Sequence, residues 1–165
     1  MFPDPKEISK IGNGSLFIMS KPAGFENLSE DMDHLKRQGI TSIVSLLESS
    51  EACELGLSQE ELSATSLGIN YLNVPIKDRS VPKDVSMFTS AIHEAHSQIV
   101  EGHNLVAHCR AGIGRSGIFT AMILIHAGYA VAEAFELVSS ARGISVPDTE
   151  EQIEWVHSHA DSVAP

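Results

Sequence analysis

A turn of only a few residues joins a short apolar strand to a strongly apolar helix, and this junction constrains the fold more than any other feature of the chain. The strand sequence is NLVAHC, Asn104–Cys109, and the helix sequence GRSGIFTAMILIHA becomes helical at about Arg115. Gly112 and Gly114 lie in the turn and allow consecutive backbone N–H groups to point inward. In α/β folds such a turn lies at the carboxyl end of a strand, where ligand sites are found.

The rest of the chain alternates between strands and helices. Apolar, β-branched runs predict further strands at Ser15–Ser20, Ile40–Leu47 and Ile69–Ile76. Apolar residues at helical spacing, with glycine stops and capping residues, predict helices at Leu28–Gln38, Gln59–Leu67, Val85–Val100, Arg115–His126, Ala130–Ala141 and Thr149–His159. This order predicts an α/β fold with a largely parallel central sheet of about four to five strands flanked by helices. The chain of 165 residues has no repeat and no long linker, so we expect one domain over residues 1–165.

Composition and charge exclude several classes of function. The formal net charge of −11 argues against binding to nucleic acid or to an anionic membrane, because both require clustered Lys and Arg. No apolar run approaches the roughly 20 residues of a membrane span, and the first residues, MFPDPKEISK, do not resemble a secretory signal. Two cysteines are too few for a disulfide framework. We therefore expect a monomeric, cytoplasmic protein in which any anion site is local.

The residues around the turn predict a reactive thiolate beside an anion site. Cys109 precedes a helix N-terminus, whose unpaired N–H groups and positive dipole end favour an anion and can lower a cysteine pKa to roughly 3.5 to 7.5. Arg115 adds a planar set of donors that matches two phosphate oxygens. Ser116 places a hydroxyl where it can donate to the sulfur. Together these features suit the binding of a tetrahedral oxyanion over a thiolate.

The sequence HCRAGIGRSG resembles the signature loop of the cysteine-based protein tyrosine phosphatases and dual-specificity phosphatases, which has His, Cys, five residues, Arg and then Ser or Thr. Two similar loops differ in spacing: a nucleotide-binding loop requires Gly-Lys-Ser/Thr, whereas here Arg115 follows Gly114. A sulfurtransferase loop of the rhodanese type has four residues between Cys and Arg, whereas this chain has five. The resemblance covers nearly the whole chain and implies the protein tyrosine phosphatase fold, with a phosphate-binding loop between a strand and a helix.

The resemblance also implies roles for individual residues. Cys109 is the nucleophile, His108 organises the loop and helps to keep the thiol ionised, and Ser116 assists the departure of the sulfur. The phosphate is bound by the loop and its arginine: Arg110, Ala111, Gly112, Ile113, Gly114 and Arg115. The chemistry requires neither a metal ion nor a cofactor.

Two more catalytic candidates come from looser parts of the resemblance. The segment VPIKDRSVPKD supplies Asp78, 31 positions before Cys109, and resembles the acid loop of the small cyclin-dependent-kinase-associated phosphatases and their bacterial relatives. The alternatives are that Asp78 is a solvated turn residue and that Asp84 is the acid. The segment ARGISVPDTEEQIEWV resembles the part of those phosphatases in which a glutamine orients the hydrolytic water. Gln152 holds that position, although it could also be an exposed helix residue.

Other polar residues are open to two interpretations. Cys53 could form a protective disulfide with Cys109, but a spare thiol on a short helix is the favoured interpretation. Glu48 could orient Arg115 or simply begin a loop, and the second is favoured. Two histidine pairs suggest a metal site, but each falls on the polar side of a predicted helix and no other ligand completes the set; we expect no metal at His93, His96, His157 and His159.

The implied function is hydrolysis of phosphomonoesters through a phosphocysteine, acting on phosphotyrosine and also on phosphoserine and phosphothreonine in proteins. A phosphoprotein or phosphopeptide is then the expected partner. Two alternatives remain open. The substrate could be a non-protein phosphomonoester such as a phosphoinositide, or the chain could be a non-catalytic module that only binds phosphate.

Overall fold

The computed structural model describes all residues, 1–165, and contains five strands and seven α-helices. The strands are β1 (Lys6–Ile11), β2 (Gly14–Met19), β3 (Ser42–Ser45), β4 (Asn70–Asn73) and β5 (Asn104–His108). The helices are α1 (Leu28–Arg37), α2 (Ser49–Glu54), α3 (Glu60–Ser66), α4 (Val85–Glu101), α5 (Arg115–His126), α6 (Val131–Arg142) and α7 (Glu150–His159). Short 3₁₀ turns lie at Phe25–Asn27 and Ala160–Ser162.

The strands form one mixed sheet in the order β1-β2-β5-β3-β4. Strand β1 pairs with β2 in antiparallel orientation, and the other three pairings are parallel. Strand β5 is therefore central, between β2 and β3. Because parallel strands end at the same edge of a sheet, the segments that follow β2, β3, β4 and β5 meet there.

Alternation along the strands divides the core between the two faces of the sheet. Leu105 and Ala107 of β5 belong to a cluster of 30 buried residues to which α4, α5, α6 and α7 contribute. Val106 points to the other face, into a cluster of 11 buried residues that includes Met32 of α1 and Ala64 of α3. His108 continues this alternation and is completely buried. Its place on the α3 side of the sheet determines its partner in the site.

Helix α5 is buried on every side except at its end. All its residues from Arg115 to Ile125 are buried, because it lies between the sheet and the neighbouring helices α4, α6 and α7. A helix that is apolar all round needs such a position. The N-terminus of α5 is thereby held rigidly at the carboxyl end of β5.

The predicted α/β class and the largely parallel sheet are confirmed, and all six predicted helices are present to within one or two residues at each end. The prediction missed β1, whose sequence KEISKI alternates only weakly because it is an edge strand with charged residues on its exposed side. The predicted strands at Ile40–Leu47 and Ile69–Ile76 are shorter in the structure, Ser42–Ser45 and Asn70–Asn73, because their apolar flanks continue into buried loops. No helix is long and apolar enough to cross a membrane.

Candidate active site

The loop between β5 and α5 curls so that its amides face inward and its carbonyls face outward. The N–H groups of Arg110 to Arg115 donate to no oxygen atom of the protein. Two of the outward carbonyls accept hydrogen bonds from neighbouring segments. Arg110 O accepts from Lys21 N at 3.1 Å, and Ala111 O accepts from Arg142 Nη2 at 3.1 Å. A ring of free N–H groups at a helix N-terminus is an anion-binding nest.

Gly112 makes this curl possible. Its φ is +73°, and a Cβ at this position would lie 2.3 Å from the carbonyl oxygen of Met19. Both observations exclude a side chain, since the left-handed region is costly for other residues and β2 leaves no room. The loop therefore packs directly on the backbone at the end of β2.

Cys109 lies at the base of the nest and is only 3% exposed. Its Sγ is 3.2 Å from the hydroxyl of Ser116. Burial alone would raise the pKa of Cys109, but hydrogen bonds from the Ser116 hydroxyl and amide, the charge of Arg115 and the Ile113 amide outweigh burial and lower the pKa below its ordinary value. The surroundings of Cys109 therefore favour the thiolate more than those of an ordinary cysteine, and Cys109 is the residue that the sequence predicts to be the nucleophile.

Arg115 is 1% exposed and is held by three partners. Glu51 of α2 accepts from both terminal nitrogens, at 2.6 Å for Nη1 and 3.0 Å for Nη2. Nη1 also donates to the carbonyl of Ile76 at 2.9 Å, and Nη2 to Asp78 Oδ1 at 3.1 Å. The Nε–H group donates to no atom of the protein. The guanidinium is thus fixed in place. Four of its five N–H groups are bonded to the protein, one of them to Asp78, and the Nε–H group is free.

His108 joins Cys109 to a buried carboxylate. Its Nδ1 is 2.9 Å from the carbonyl oxygen of Cys109, and its Nε2 is 2.6 Å from Glu60 Oε1 of α3. Burial works against the charged imidazole, but the charge and hydrogen bond of Glu60 prevail and raise the pKa of His108 above its ordinary value. The resemblance implied that His108 organises the loop and helps to keep the thiol ionised, but sequence reasoning did not identify Glu60.

The predicted acid, Asp78, lies in the loop that follows β4, over the nest. Its side chain is 53% exposed and contacts Arg115. The next residue, Arg79, donates to Asp148 Oδ2 at 3.1 Å, and Ser80 O accepts from Gln152 Nε2 at 3.0 Å. These contacts tie the acid loop to the start of α7.

Gln152 is completely buried, which excludes the alternative of an exposed helix residue. Its Oε1 accepts from the amides of Asp148 and Thr149, each at 3.1 Å, while Thr149 Oγ1 accepts from the amide of Gln152. This is a capping box, so the glutamine starts α7 while it reaches the acid loop. A Cβ on Gly114 would lie 2.9 Å from Gln152 Nε2, which places the amide against the phosphate loop.

A cavity of about 230 Å³ opens over the nest. Charged, small and aliphatic side chains make its walls: Asp78, Arg79, Cys109, Arg110, Ala111, Ile113, Gly114, Arg115, Asp148 and Gln152. Four of the six residues predicted to be catalytic line this cavity: Asp78, Cys109, Arg115 and Gln152. The other two, Ser116 and His108, are buried and contact Cys109.

The other candidates lie elsewhere. Asp84 caps α4 by accepting from Met87 N at 3.0 Å and lines a separate cavity, as does Glu48, which immediately precedes α2. Glu48 therefore does not orient Arg115. Cys53 is an exposed free thiol on α2, in line with the favoured interpretation.

The histidines make contacts with other rings. His93 and His96 of α4 pack on His126, with ring centroids 4.5 and 4.6 Å away, and His159 stacks on Trp155 at 4.1 Å. No group of three His, Cys, Asp or Glu residues is arranged to hold a metal ion.

Three acidic residues of the site were missed from the sequence: Asp148, which lines the cavity, and Glu51 and Glu60, which bond Arg115 and His108. Glu51 and Glu60 each had a weak signal. Glu51 follows the predicted strand at Ile40–Leu47 within one turn of helix, and Glu60 stands four positions before Ala64 on the apolar face of its helix. A carboxylate on an apolar helix face requires a buried cationic partner, and such a partner could have been sought among His108 and Arg115.

Comparisons with known proteins agree with this geometry. The fold is that of the cysteine-dependent phosphatases: a kinase associated phosphatase whose catalytic cysteine is replaced by serine superposes with a TM-score of 0.88, covering 99% of this chain and 97% of that chain at 19% identity. The structure of Tk-PTP in its active form matches with a TM-score of 0.76 at 24% identity, covering 98% and 99% of the two chains.

The family model described as "Tc-R-P: Polymorphic toxin system, DSP-PTPase phosphatase" matches residues 18–129. The chain belongs to this dual-specificity branch of the protein tyrosine phosphatases. It is 31% identical over 121 residues to dual specificity protein phosphatase 15 of Homo sapiens, which covers 73% of this chain. The matched region is 37% of that relative, so the chain corresponds to little more than a third of its length.

Proposed function

We propose that the chain hydrolyses phosphomonoesters of proteins, at phosphotyrosine and also at phosphoserine and phosphothreonine, through a phosphocysteine intermediate. One observation carries this proposal. The amides of Arg110 to Arg115, which donate to no oxygen atom of the protein, and the guanidinium of Arg115 surround a buried Cys109 whose pKa is lowered. Such an arrangement matches the equatorial oxygens of a phosphate placed over the sulfur, and each donor of this kind contributes about 3 kcal/mol to an oxyanionic transition state.

Binding uses donors that the protein itself leaves free. Phosphate oxygens accept from the loop amides and from the Nε and Nη2 groups of Arg115. Since Nη2 also donates to Asp78 at 3.1 Å, a bound phosphate displaces the Asp78 carboxyl toward the oxygen that will leave. Glu51 and the Ile76 carbonyl keep the arginine in place during this exchange.

In the first step, the Cys109 thiolate attacks phosphorus in line, forming the S–P bond while the P–O bond to the leaving group breaks. Asp78 gives its proton to the departing oxygen. In the second step, the Asp78 carboxylate takes a proton from water, the water oxygen attacks phosphorus, and the S–P bond breaks to restore the thiolate. The Ser116 hydroxyl, 3.2 Å from Sγ, stabilises the sulfur as it leaves. The Nε2 hydrogen of Gln152 that does not bond Ser80 is proposed to orient the water.

The cavity walls support a broad range of phosphorylated side chains. They consist of charged groups, small residues and one isoleucine, and such walls recognise the phosphate and its backbone surroundings rather than stacking on a phenol ring. Arg79 and Arg110 on the rim of the cavity favour an acidic peptide, although the formal net charge of the whole chain is −11. Two free thiols suit a reducing compartment, and we propose that the chain acts as a monomeric single domain in the cytoplasm.

The test is to measure kcat/KM on matched peptides phosphorylated at Tyr, Ser or Thr, in EDTA, with Cys109→Ser as the blank. The proposal predicts turnover of all three peptides and none by the variant. Acid quenching during turnover should recover phosphate bound covalently to Cys109, whereas a direct attack by water would leave none.

The other outcomes identify the alternatives. Turnover of phosphotyrosine alone would contradict the dual specificity. Turnover of phosphoinositides but of no peptide would mean a non-protein substrate. Binding of phosphopeptides by the unmodified chain without turnover of any substrate would mean a phosphate-binding module.

A further inference from the structure

Glu60 and His108 form a pair that is sealed from solvent directly beneath the phosphate loop. Their side chains are 1% and 0% exposed, and Nε2 lies 2.6 Å from Oε1 and 3.1 Å from Oε2. The carboxylate has no other hydrogen-bond partner in the structure. A buried carboxylate of this kind requires a compensating charge, since an unpaired one costs several kcal/mol or takes up a proton.

The geometry determines which ring nitrogens carry protons. Nδ1 lies 2.9 Å from the carbonyl oxygen of Cys109, which can only accept, so Nδ1 carries a hydrogen. Nε2 faces both oxygens of the Glu60 carboxylate. A carboxylate facing Nε2 favours a proton there as well, which gives an imidazolium that donates at both nitrogens, toward the Cys109 carbonyl on one side and toward Glu60 on the other. The raised pKa of His108 agrees with this assignment.

The polarity of the pair has a consequence for the thiol. The imidazolium is bonded to the peptide group of Cys109, whereas the carboxylate lies on the far side of the ring. The positive end of the pair therefore faces the nucleophile, and the negative end faces α3. Although the pair is neutral as a whole, its field at the sulfur favours the thiolate.

We propose that Glu60 is a positioning residue, which holds His108 doubly protonated and thereby keeps Cys109 ionised in mildly acidic solution. This inference rests on the proposed nucleophilic role of Cys109. Glu60 touches neither substrate nor sulfur and acts only through His108.

Other ionisable groups face this network from the surrounding elements. Tyr71 of β4 has a pKa raised by burial and by Glu60, and Glu61 of α3 also acts on it. Arg115 of α5 acts on the sulfur through its charge. Its own charged partners are Glu51 of α2 and Asp78 of the acid loop. Tyr71 stays neutral over the acidic range and Arg115 stays charged, so neither titrates together with the pair.

The experiment measures the thiol directly. In a Cys53→Ser background, which removes the exposed second thiol, the rate of alkylation of Cys109 by iodoacetamide is followed from pH 4 to pH 10 with and without Glu60→Gln. Glutamine has the same shape and can donate to a neutral Nε2, so the variant removes the charge and keeps the contact. We expect the midpoint of the alkylation curve to rise by about one unit, a roughly tenfold loss of thiolate below the midpoint.

Two further measurements separate a charge effect from a structural one. Glu60→Asp keeps the charge and should keep the low midpoint. The ¹⁵N shifts of His108 should be those of an imidazolium in the unsubstituted chain and of a neutral ring in Glu60→Gln. If Glu60→Gln does not fold, the His108 shifts of the unsubstituted chain still decide, because a neutral ring at neutral pH overturns the proposal.

The outcomes distinguish this inference from the proposed function. If the alkylation midpoint is low in the unsubstituted chain and Glu60→Gln leaves it unchanged, only the role of Glu60 is overturned. An ordinary midpoint near ~8.5 in the unsubstituted chain would instead overturn the nucleophile assignment itself.

Discussion

At the scale of single residues, the site is organised around Arg115. A guanidinium that is 1% exposed is tolerated because four of its N–H groups are bonded, to Glu51, to the Ile76 carbonyl and to Asp78. Glu51 accepts two of these bonds in the parallel geometry that only arginine offers. Glu51 therefore fixes the direction in which the guanidinium of Arg115, the proposed phosphate-binding group, points.

Replacing Asp78 tests whether it is the acid. Asp78→Asn should lower kcat/KM about a hundredfold to ten-thousandfold on phosphoserine peptides, whose alkoxide is a poor leaving group. The loss should be much smaller on an aryl phosphate with an acidic phenol, because that leaving group needs little protonation. The measurement is kcat/KM on both substrates for the variant and for the unsubstituted chain.

The matched control for this experiment is Asp84→Asn, since asparagine still caps α4 and removes only the charge. It should retain normal rates on both substrates. Equal losses on both substrates for Asp78→Asn, or a leaving-group effect in Asp84→Asn, would contradict the assignment.

Glu51 provides a prediction on stability as well as on rate. The hydrogen bond from Arg115 is the main cause of the lowered pKa of Glu51 and outweighs the burial that opposes it. A lowered pKa means that the pair stabilises the fold above the ordinary value of 4.5, and that this contribution is lost as pH falls through the lower folded value. Glu51→Gln should therefore lower Tm at neutral pH, and the difference from the unsubstituted chain should vanish in acid.

The same variant should reduce kcat about tenfold or more, because a lost bond to a charged group is worth about 1.5 to 3 kcal/mol. Glu48→Gln is the control, since Glu48 lies near Glu51 in sequence but does not contact Arg115. A Tm difference that does not diminish however far the pH is lowered below 4.5 would contradict the ion-pair explanation.

At the scale of secondary-structure elements, the function depends on the junction of β5, the phosphate loop and α5. The strand lies in the centre of a parallel sheet and the helix is buried along its length, so both ends of the loop are rigid. The loop crosses the end of β2 so closely that only glycine fits at position 112. Amides held in this way need no reorganisation when an anion binds.

Gly112→Ala tests this close approach. The new Cβ would lie 2.3 Å from the Met19 carbonyl oxygen, so the loop must move and the nest must open. We expect loss of most activity together with a lower Tm. Gly68→Ala has nearly the same φ, +77° against +73°, but meets no atom within 4 Å.

The Gly68 variant therefore measures the backbone cost alone, about 1 kcal/mol, and should keep full activity. If the two variants lost stability and activity equally, the contact between the loop and β2 would not be what shapes the nest. Tm and kcat/KM on one phosphopeptide are sufficient for this comparison.

At the scale of the whole molecule, charge is distributed unevenly. The formal net charge of the chain is −11. Seven of its 11 basic residues nevertheless lie in or next to the site, in the phosphate loop, the acid loop, the first turn of α5 or segments bonded to the phosphate loop: Lys21, Lys77, Arg79, Lys83, Arg110, Arg115 and Arg142. Basic residues are thereby concentrated at one edge of the sheet, where they fit the anionic substrate proposed above.

The core that supports this edge gives a prediction on overall stability. Phe119 of α5 is completely buried and packs edge-on against Phe88 of α4, with centroids 5.7 Å apart. Phe119→Ala should lower the free energy of unfolding by about 3 to 5 kcal/mol, as measured by denaturant titration. Leu62→Ala, at a side chain that is 65% exposed on α3, should change it by less than about 0.5 kcal/mol. Similar losses for both would contradict the packing described here.

A feature could be predicted from the sequence where its cause lies within a short segment of the chain. The chemistry of the phosphate loop is contained in ten consecutive residues, and the strand and helix on either side are equally evident from apolar patterns, so Cys109 and Arg115 could be predicted. Asp78 could be predicted to lie near the loop from the resemblance of its segment to an acid loop, its spacing of 31 positions before Cys109 and the strand end just before it, and its role as the acid stays a prediction. The edge strand β1 could not be recognised, because its charged outer face obscures the alternation.

By itself, the sequence determined the α/β alternation and the cluster of donors around Cys109, because backbone propensity and short-range spacing act within single segments. Only the tertiary structure decided the partners of those donors. Glu51 meets Arg115 across 64 residues, Glu60 meets His108 across 48, and Gln152 reaches the carbonyl of Ser80 across 72. No local pattern specifies such pairs, since they depend on which elements the parallel sheet brings to one edge and on which face of β5 each side chain points to.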